Sequence, residues 1–232
     1  MKYLIVNADD LGLTPGINRG IAEAHEHGIV TSASLMVDEP ASEEAARGWA
    51  ELPELSVGLH VTLTDEHARP VLDLRAAATL DAELERQLER FRALTGCEPA
   101  HLDSHHNIHL LPEAAPRFAE LAEARGLLLR GSPIRYVPNF YGQWDGVTHL
   151  EHIDAINLLA IIEAEVGDGI SELGCHPGYV DPTLQSTYSL ERETELRALC
   201  LPRVRARLAE LGVELVSSAT AHRMLSCGHA GA

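Results

Sequence analysis

Two adjacent carboxylates, Asp9 and Asp10, end an apolar run, Leu4-Ile5-Val6-Asn7-Ala8. Histidines stand late in three further strand-like segments, at His60, His105 and His176. Acids and imidazoles at strand ends are the donors of a metal-dependent hydrolase. Successive residues of a strand face opposite ways, so Asp9 and Asp10 share one site only if the backbone turns between them. One would then bind metal while its neighbour moves protons. In Val57-Gly58-Leu59-His60-Val61-Thr62-Leu63-Thr64, alternation puts Gly58, His60, Thr62 and Thr64 on a polar face. The segment His101-Leu102-Asp103-Ser104-His105-His106-Asn107-Ile108-His109, if extended, brings His101, Asp103 and His105 to one face. There His105 is the candidate ligand and Asp103 a carboxylate that orients a histidine. His101, His106 and His109 suit an outer polar shell or a loop as well as a direct role. Pro177 keeps His176 extended before a sharp turn, which makes it either a cleft-facing general acid or a capped loop histidine. Together, Asp10, His60 and His105 form a two-histidine, one-carboxylate set with room for water, as in catalytic metal sites. Zinc suits that set, and its oxygen ligands also admit magnesium or another divalent ion.

The elements that must position these residues alternate between strand and helix from end to end. A first strand over about 3–8 is apolar on both faces, as in a covered parallel sheet. Its helix starts at Thr14-Pro15, an N-cap followed by proline at the first helical position, and stops at Gly28. Further strands are expected over 31–37, 57–64, 100–105, 127–130, 172–176 and 213–217. Helices are expected over 43–52, 81–95, 112–125, 153–166 and 190–211, the last broken at Pro202. Seven strands alternating with helices suggest a closed or nearly closed β/α barrel, because barrels gather distant strand ends on one face. A doubly wound open sheet is the competing topology.

The chain has 232 residues, 45% of them apolar, enough for one α/β domain of barrel size spanning residues 1–232. A formal charge of −17 argues against nucleic acid or an anionic membrane surface as partner and for a neutral or cationic substrate. Cys97, Cys175, Cys200 and Cys227 form no Cys-x-x-Cys pair, which favours reduced thiols. The amino-terminal apolar run is too short for a signal peptide and no stretch approaches the ~20 apolar residues of a membrane span, so a cytoplasmic protein is expected. A homodimer is compatible with such a barrel.

Several of these pieces are shared with a known family. Asn7-Ala8-Asp9-Asp10-Leu11-Gly12, Gly28-Ile29-Val30-Thr31-Ser32-Ala33-Ser34, Gly58 to Thr64, His101 to His106, Phe140-Tyr141-Gly142 and Cys175-His176-Pro177-Gly178 appear in this order. In this the chain resembles the YdjC-like carbohydrate deacetylases, over nearly its whole length. The resemblance implies a distorted (β/α) barrel of about seven parallel strands, like that of polysaccharide deacetylases. It also implies removal of acetyl groups from N-acetylated amino sugars, either chitooligosaccharides or an acetylglucosaminyl lipid. Carried over, the ligands of one divalent metal ion (Zn²⁺ or Mg²⁺) fall on Asp10, His60 and His105, the proton-transferring aspartate on Asp9 and the general acid on His176. Asp103 and His109 are candidates for the layer behind the ligands or for substrate contact, and Tyr141, Trp144 and Tyr179 for stacking on sugar rings. Two departures from the family pattern, a short stretch over 65–79 and Asn107 where a histidine is frequent, bear on the substrate. A metal-dependent phosphoesterase with two or three ions, and a sugar-binding barrel without chemistry, remain alternatives.

Overall fold

The computed structural model describes residues 1–65 and 67–228. In chain order the strands are β1 (Lys2–Leu11), β2 (Ser32–Leu35), β3 (Ser56–Val61), β4 (His101–Ser104), β5 (Leu128–Leu129), β6 (Arg135–Val137), β7 (Gln143–Trp144), β8 (Val147–Thr148), β9 (Gly169–Cys175) and β10 (Val213–Leu215). The helices are α1 (Pro15–Glu26), α2 (Ser42–Trp49), α3 (Ala77–Thr95), α4 (Ala115–Arg125), α5 (Ala155–Glu165), α6 (Leu190–Leu199), α7 (Pro202–Glu210) and α8 (Ser218–Gly228). Local chemistry sets several of these bounds. Thr14 is extended and its Oγ1 accepts the Ile17 N–H, with Pro15 opening α1 behind it. Pro202 separates α6 from α7, as the missing N–H of proline requires.

The strands run in the order β5-β4-β3-β2-β1-β9-β6, all pairings parallel, with β10 against the first residues of β1. This order follows the chain around a ring. The seam lies between β5 and β6, which are neighbours in sequence but, among the described residues, not paired with each other. The sheet is therefore a curled half-barrel, not a closed ring and not a doubly wound sheet. Burial on the two faces shows the same thing. Leu4, Val6 and Ala8 of β1 point outward into one large core with Ile21, Phe91, Phe118, Leu158, Leu196 and Leu208, drawn from helices around the outside.

Ile5 points inward, into a smaller cluster with Leu128, Ile134, Val216 and Ala221 of α8, which closes the amino-terminal end of the barrel. The first N–H groups of α8 have no partner within the helix. Ser32 Oγ accepts from Ser218 N at 2.9 Å and Ser56 Oγ from Ala219 N at 3.2 Å. Apolar residues thus seal the floor, and the upper inner face is left to Asn7, Asp9, Ser34, His60, Asp103, Arg130 and Glu172, all buried. No helix of the described residues is long and apolar enough to cross a membrane.

Candidate metal centre

Strand β1 delivers both carboxylates to the cavity because it stops alternating at the right residue. Asp10 has φ +67°, a left-handed conformation that Asp tolerates better than most side chains. The pairing of β1 with β2 slips in register between Ala8 and Leu11. The following turn closes with Leu13 N–H on Asp10 O at 3.1 Å and Gly12 N–H on Asn18 Oδ1 at 2.8 Å. This is the turn that the opposed faces of a regular strand would have forbidden.

Asp10 Oδ1 lies 3.3 Å from His60 Nε2 and 3.1 Å from His105 Nδ1, and it accepts no hydrogen bond. His60 arrives from β3, its ring set by Asp103 Oδ1 on Nδ1 at 2.7 Å, with Ser34 Oγ at 3.1 Å. That partner leaves Nε2 directed at Asp10. His105 opens a 3₁₀ turn, His105–Leu110, directly after β4. Burial alone would lower the pKa of His60, but the charge of Asp103, the close carboxylates of Asp10 and Asp103, and the charge of Asp9 outweigh it and carry it up to about 10. For Asp10, burial raises the pKa, and Arg192 with His105 brings it well below the usual carboxylate range. A buried carboxylate oxygen faced by two imidazole nitrogens fits a divalent cation.

Asp9 has different company. Arg130, fully buried directly after β5, donates Nη2 to Asp9 Oδ1 at 2.6 Å and Nη1 to Oδ2 at 2.8 Å. The same guanidinium reaches Asp103 at 2.8 Å and Glu172 at 2.7 Å. Asn7, two residues back on the same face, donates Nδ2 to Asp9 Oδ1 at 2.8 Å. Burial pushes the Asp9 carboxyl up, Arg130 more than cancels it, and the net shift is downward. Asp9 is thus held ionised and outside the Asp10 cluster.

His176 Nε2 stands 4.0 Å from Asp9 Oδ2. Behind it, Glu195 Oε2 accepts the His176 backbone N–H at 2.5 Å and Oε1 lies 3.9 Å from Nδ1. Tyr188 donates its hydroxyl to the same Glu195 and accepts the Gly142 N–H at 3.0 Å. Tyr141 stacks on Tyr188 with ring centroids 4.6 Å apart and meets His176 edge-on at 5.7 Å. Side-chain exposure rises from 1% at Asp10 to 12% at His105 and 23% at His176, and Tyr141 is 40% exposed. The gradient locates the mouth on the His176 and Tyr141 side.

The family profile described as YdjC-like protein matches residues 3–210. The chain belongs to the YdjC-like family. It is 38% identical to a carbohydrate deacetylase of Geobacillus stearothermophilus, covering 93% of this chain and 96% of that one. It is 35% identical to a chitooligosaccharide deacetylase of Salmonella typhimurium, covering 91% and 96%. Among solved structures, a protein of Enterococcus faecalis V583, assigned provisionally to cellobiose-phosphate cleavage, superposes with a TM-score of 0.82 at 26% identity over 94% of this chain and 98% of that one. A family 4 carbohydrate esterase from Streptomyces lividans, solved with acetate, shares the fold at a TM-score of 0.61 and 15% identity, covering 95% of each chain.

Within this YdjC-like chain the structure brings Asp9, Asp10, His60, His105, Asp103, His176 and Tyr141 together and separates others expected there. Tyr179 is not at the mouth. The chain leaves the cavity at Gly178, which packs so closely on Gly20 of α1 that a Cβ on Gly20 would sit 2.4 Å from Gly178 Cα. Tyr179 therefore lands on the outside of α1, its hydroxyl on Glu23 and Arg19 over its ring at 5.9 Å. His109 touches no substrate-accessible surface. It is 2% exposed, bonded through N–H and Nδ1 to Ser104 Oγ at 2.8 and 2.7 Å, and it braces the turn that carries His105. Trp144 stacks on His149 at 3.7 Å in the β7–β8 hairpin. Burial pushes the pKa of His176 down to about 4.

His101 is buried below the site, and Gly58 makes room for it, since a Cβ there would lie 2.4 Å from the ring. Gly58→Ala is expected to destabilise the fold by about 1–3 kcal/mol through overpacking against an enclosed ring. A thermal melt checks this, and an unshifted midpoint would show that the His101 ring can move aside.

Proposed function

We propose that the protein is a metal-dependent hydrolase that removes acetyl groups from N-acetylated amino sugars. The supporting observation is that consecutive carboxylates enter one cavity with separate partners: Asp10 faces two imidazoles and Asp9 is clamped by Arg130. The deacetylase relatives support the sugar class, and the exposed Tyr141 ring beside His176 offers a face for a pyranose. A single divalent ion, zinc or magnesium, held by Asp10, His60 and His105 would polarise the acetamide carbonyl and acidify the attacking water.

The chain's own groups account for the proton movements. Arg130 keeps Asp9 ionised, so Oδ2 can accept a proton from the attacking water. His176 Nε2, 4.0 Å from that oxygen, can take up a proton and deliver it to the departing amine. Glu195 fixes the backbone of His176 and lies 3.9 Å from its ring Nδ1, while burial raises this carboxyl to about 8. A two-ion phosphoesterase would need a second donor group. The other donor group among the described residues, Asp9, His60 and Asp103, already has the Arg130 guanidinium at 2.6 and 2.8 Å from its two carboxylates.

The test is to incubate metal-loaded protein with a panel of N-acetylated sugars and with phosphate esters. Equal release of acetate and free amine, with about one ion per chain, is the expected result. Phosphate release with two or more ions would favour the phosphoesterase, and binding with no product the non-catalytic barrel. His176→Ala is expected to lower kcat by about 10²-fold or more with KM little changed. A pH–rate profile identical to wild type would remove His176 from proton transfer.

A further inference from the structure

We propose that Arg192 determines which divalent ion the centre accepts, by leaving Asp10 only one oxygen for coordination. The inference rests on Asp10, His60 and His105 being the ligands. Arg192 sits in the first turn of α6, far from Asp10 in sequence, and its side chain is 3% exposed. Its Nη2 donates to Asp10 Oδ2 at 2.6 Å, its Nε donates to Tyr188 O at 2.9 Å, and its guanidinium carbon lies 5.6 Å from the Tyr188 ring centroid. Anchored on that side, it does not swing away to release the carboxylate.

The two oxygens of Asp10 are therefore inequivalent. Oδ1 faces the imidazoles with no hydrogen bond, and Oδ2 is held in a charge-assisted bond. One carboxylate oxygen and two nitrogens are what a four-coordinate zinc site with one open position takes from the protein. Calcium needs six to eight oxygens and commonly chelates carboxylates through both. Arg192 blocks that second oxygen and also places a positive charge beside the ion. Its removal should tighten binding of every divalent ion, and calcium more than zinc. An arginine that merely orients Asp10 predicts the opposite, since its loss would weaken all ions together.

The experiment titrates metal-free full-length wild type and Arg192→Met with Zn²⁺ and with Ca²⁺, by calorimetry or competition against a chromophoric chelator. Wild type is expected to bind about one Zn²⁺ per chain and to discriminate against Ca²⁺. Arg192→Met is expected to bind Ca²⁺ at least about tenfold more tightly and to narrow the Zn²⁺ to Ca²⁺ preference by a similar factor, within the range that residues behind metal ligands command. Weaker binding of both ions, or an unchanged preference, overturns the proposal and leaves the metal centre standing. A wild-type protein that binds neither ion overturns the centre itself. Arg192→Lys keeps the charge without the planar fork, so it covers a methionine variant that fails to fold. It should move the preference the same way by less, and a move the other way is equally fatal.

Discussion

Asp10→Ala is expected to lose the bound ion and turnover together, whereas Asp9→Asn keeps the ion and loses about 10²–10⁴ in kcat. The two residues are adjacent, and the contrast comes from their partners. Asp10 Oδ1 is the buried acceptor that the imidazoles of His60 and His105 converge on, so deleting it removes the only carboxylate of the donor set. Asp9 instead meets Arg130 through both oxygens and Asn7 through one. Asparagine preserves its shape and part of its hydrogen bonding but cannot accept a proton at a carboxylate oxygen. Metal content by mass spectrometry, beside acetate release under saturating ion, separates the two variants. Equal metal loss in both would end the division of labour between them.

The largest effect on stability is expected at Arg130. Its guanidinium is the common counter-charge of Asp9, Asp103 and Glu172, all buried. In Arg130→Met the side chain still fills the space, but the carboxylates lose this shared cation. Breaking a buried pair from one side costs about 3–5 kcal/mol, because the remaining charge stays desolvated. For a chain of this size that corresponds to a fall in Tm of roughly 6–20 °C. A melt within about 2 °C of wild type would mean that protons or water replace the guanidinium at little cost. Asp9→Asn leaves Arg130 with its other two carboxylates and should melt closer to wild type.

The three residues that meet at Asp10 Oδ1 were legible in the sequence as polar side chains in or just after apolar strand-like runs, and strand periodicity itself places only His60. His60 stands between Leu59 and Val61, both turned outward into the large core, and it lies beside Asp103 in the pairing of β3 with β4. The carboxylates were legible as a pair but not as a unit, since nothing in Ala8-Asp9-Asp10-Leu11 announces a left-handed residue. Arg130 and Glu172 left a weak trace, each a charged residue in or beside a short apolar strand. Arg192 and Glu195 left none: in Leu190-Glu191-Arg192-Glu193-Thr194-Glu195-Leu196-Arg197 they read like any charged residues of a polar helix, and only the packing of α6 shows that they are buried. Strand β6 and the β7–β8 hairpin have three residues or fewer per strand, too few for a period to show. Tyr179 was misplaced because aromatic identity at a strand end says nothing about a turn dictated by two glycines in contact.

The left-handed residue in β1 also bears on how the site behaves when the barrel breathes. Asp9 and Asp10 hang from neighbouring α-carbons across one rigid peptide plane, so widening or twisting of the half-barrel carries the two α-carbons together. The spacing of those α-carbons is a property of covalent geometry. What can drift is their joint distance from the imidazoles on β3 and after β4, and the open seam lies beyond those strands, at the far side of β5.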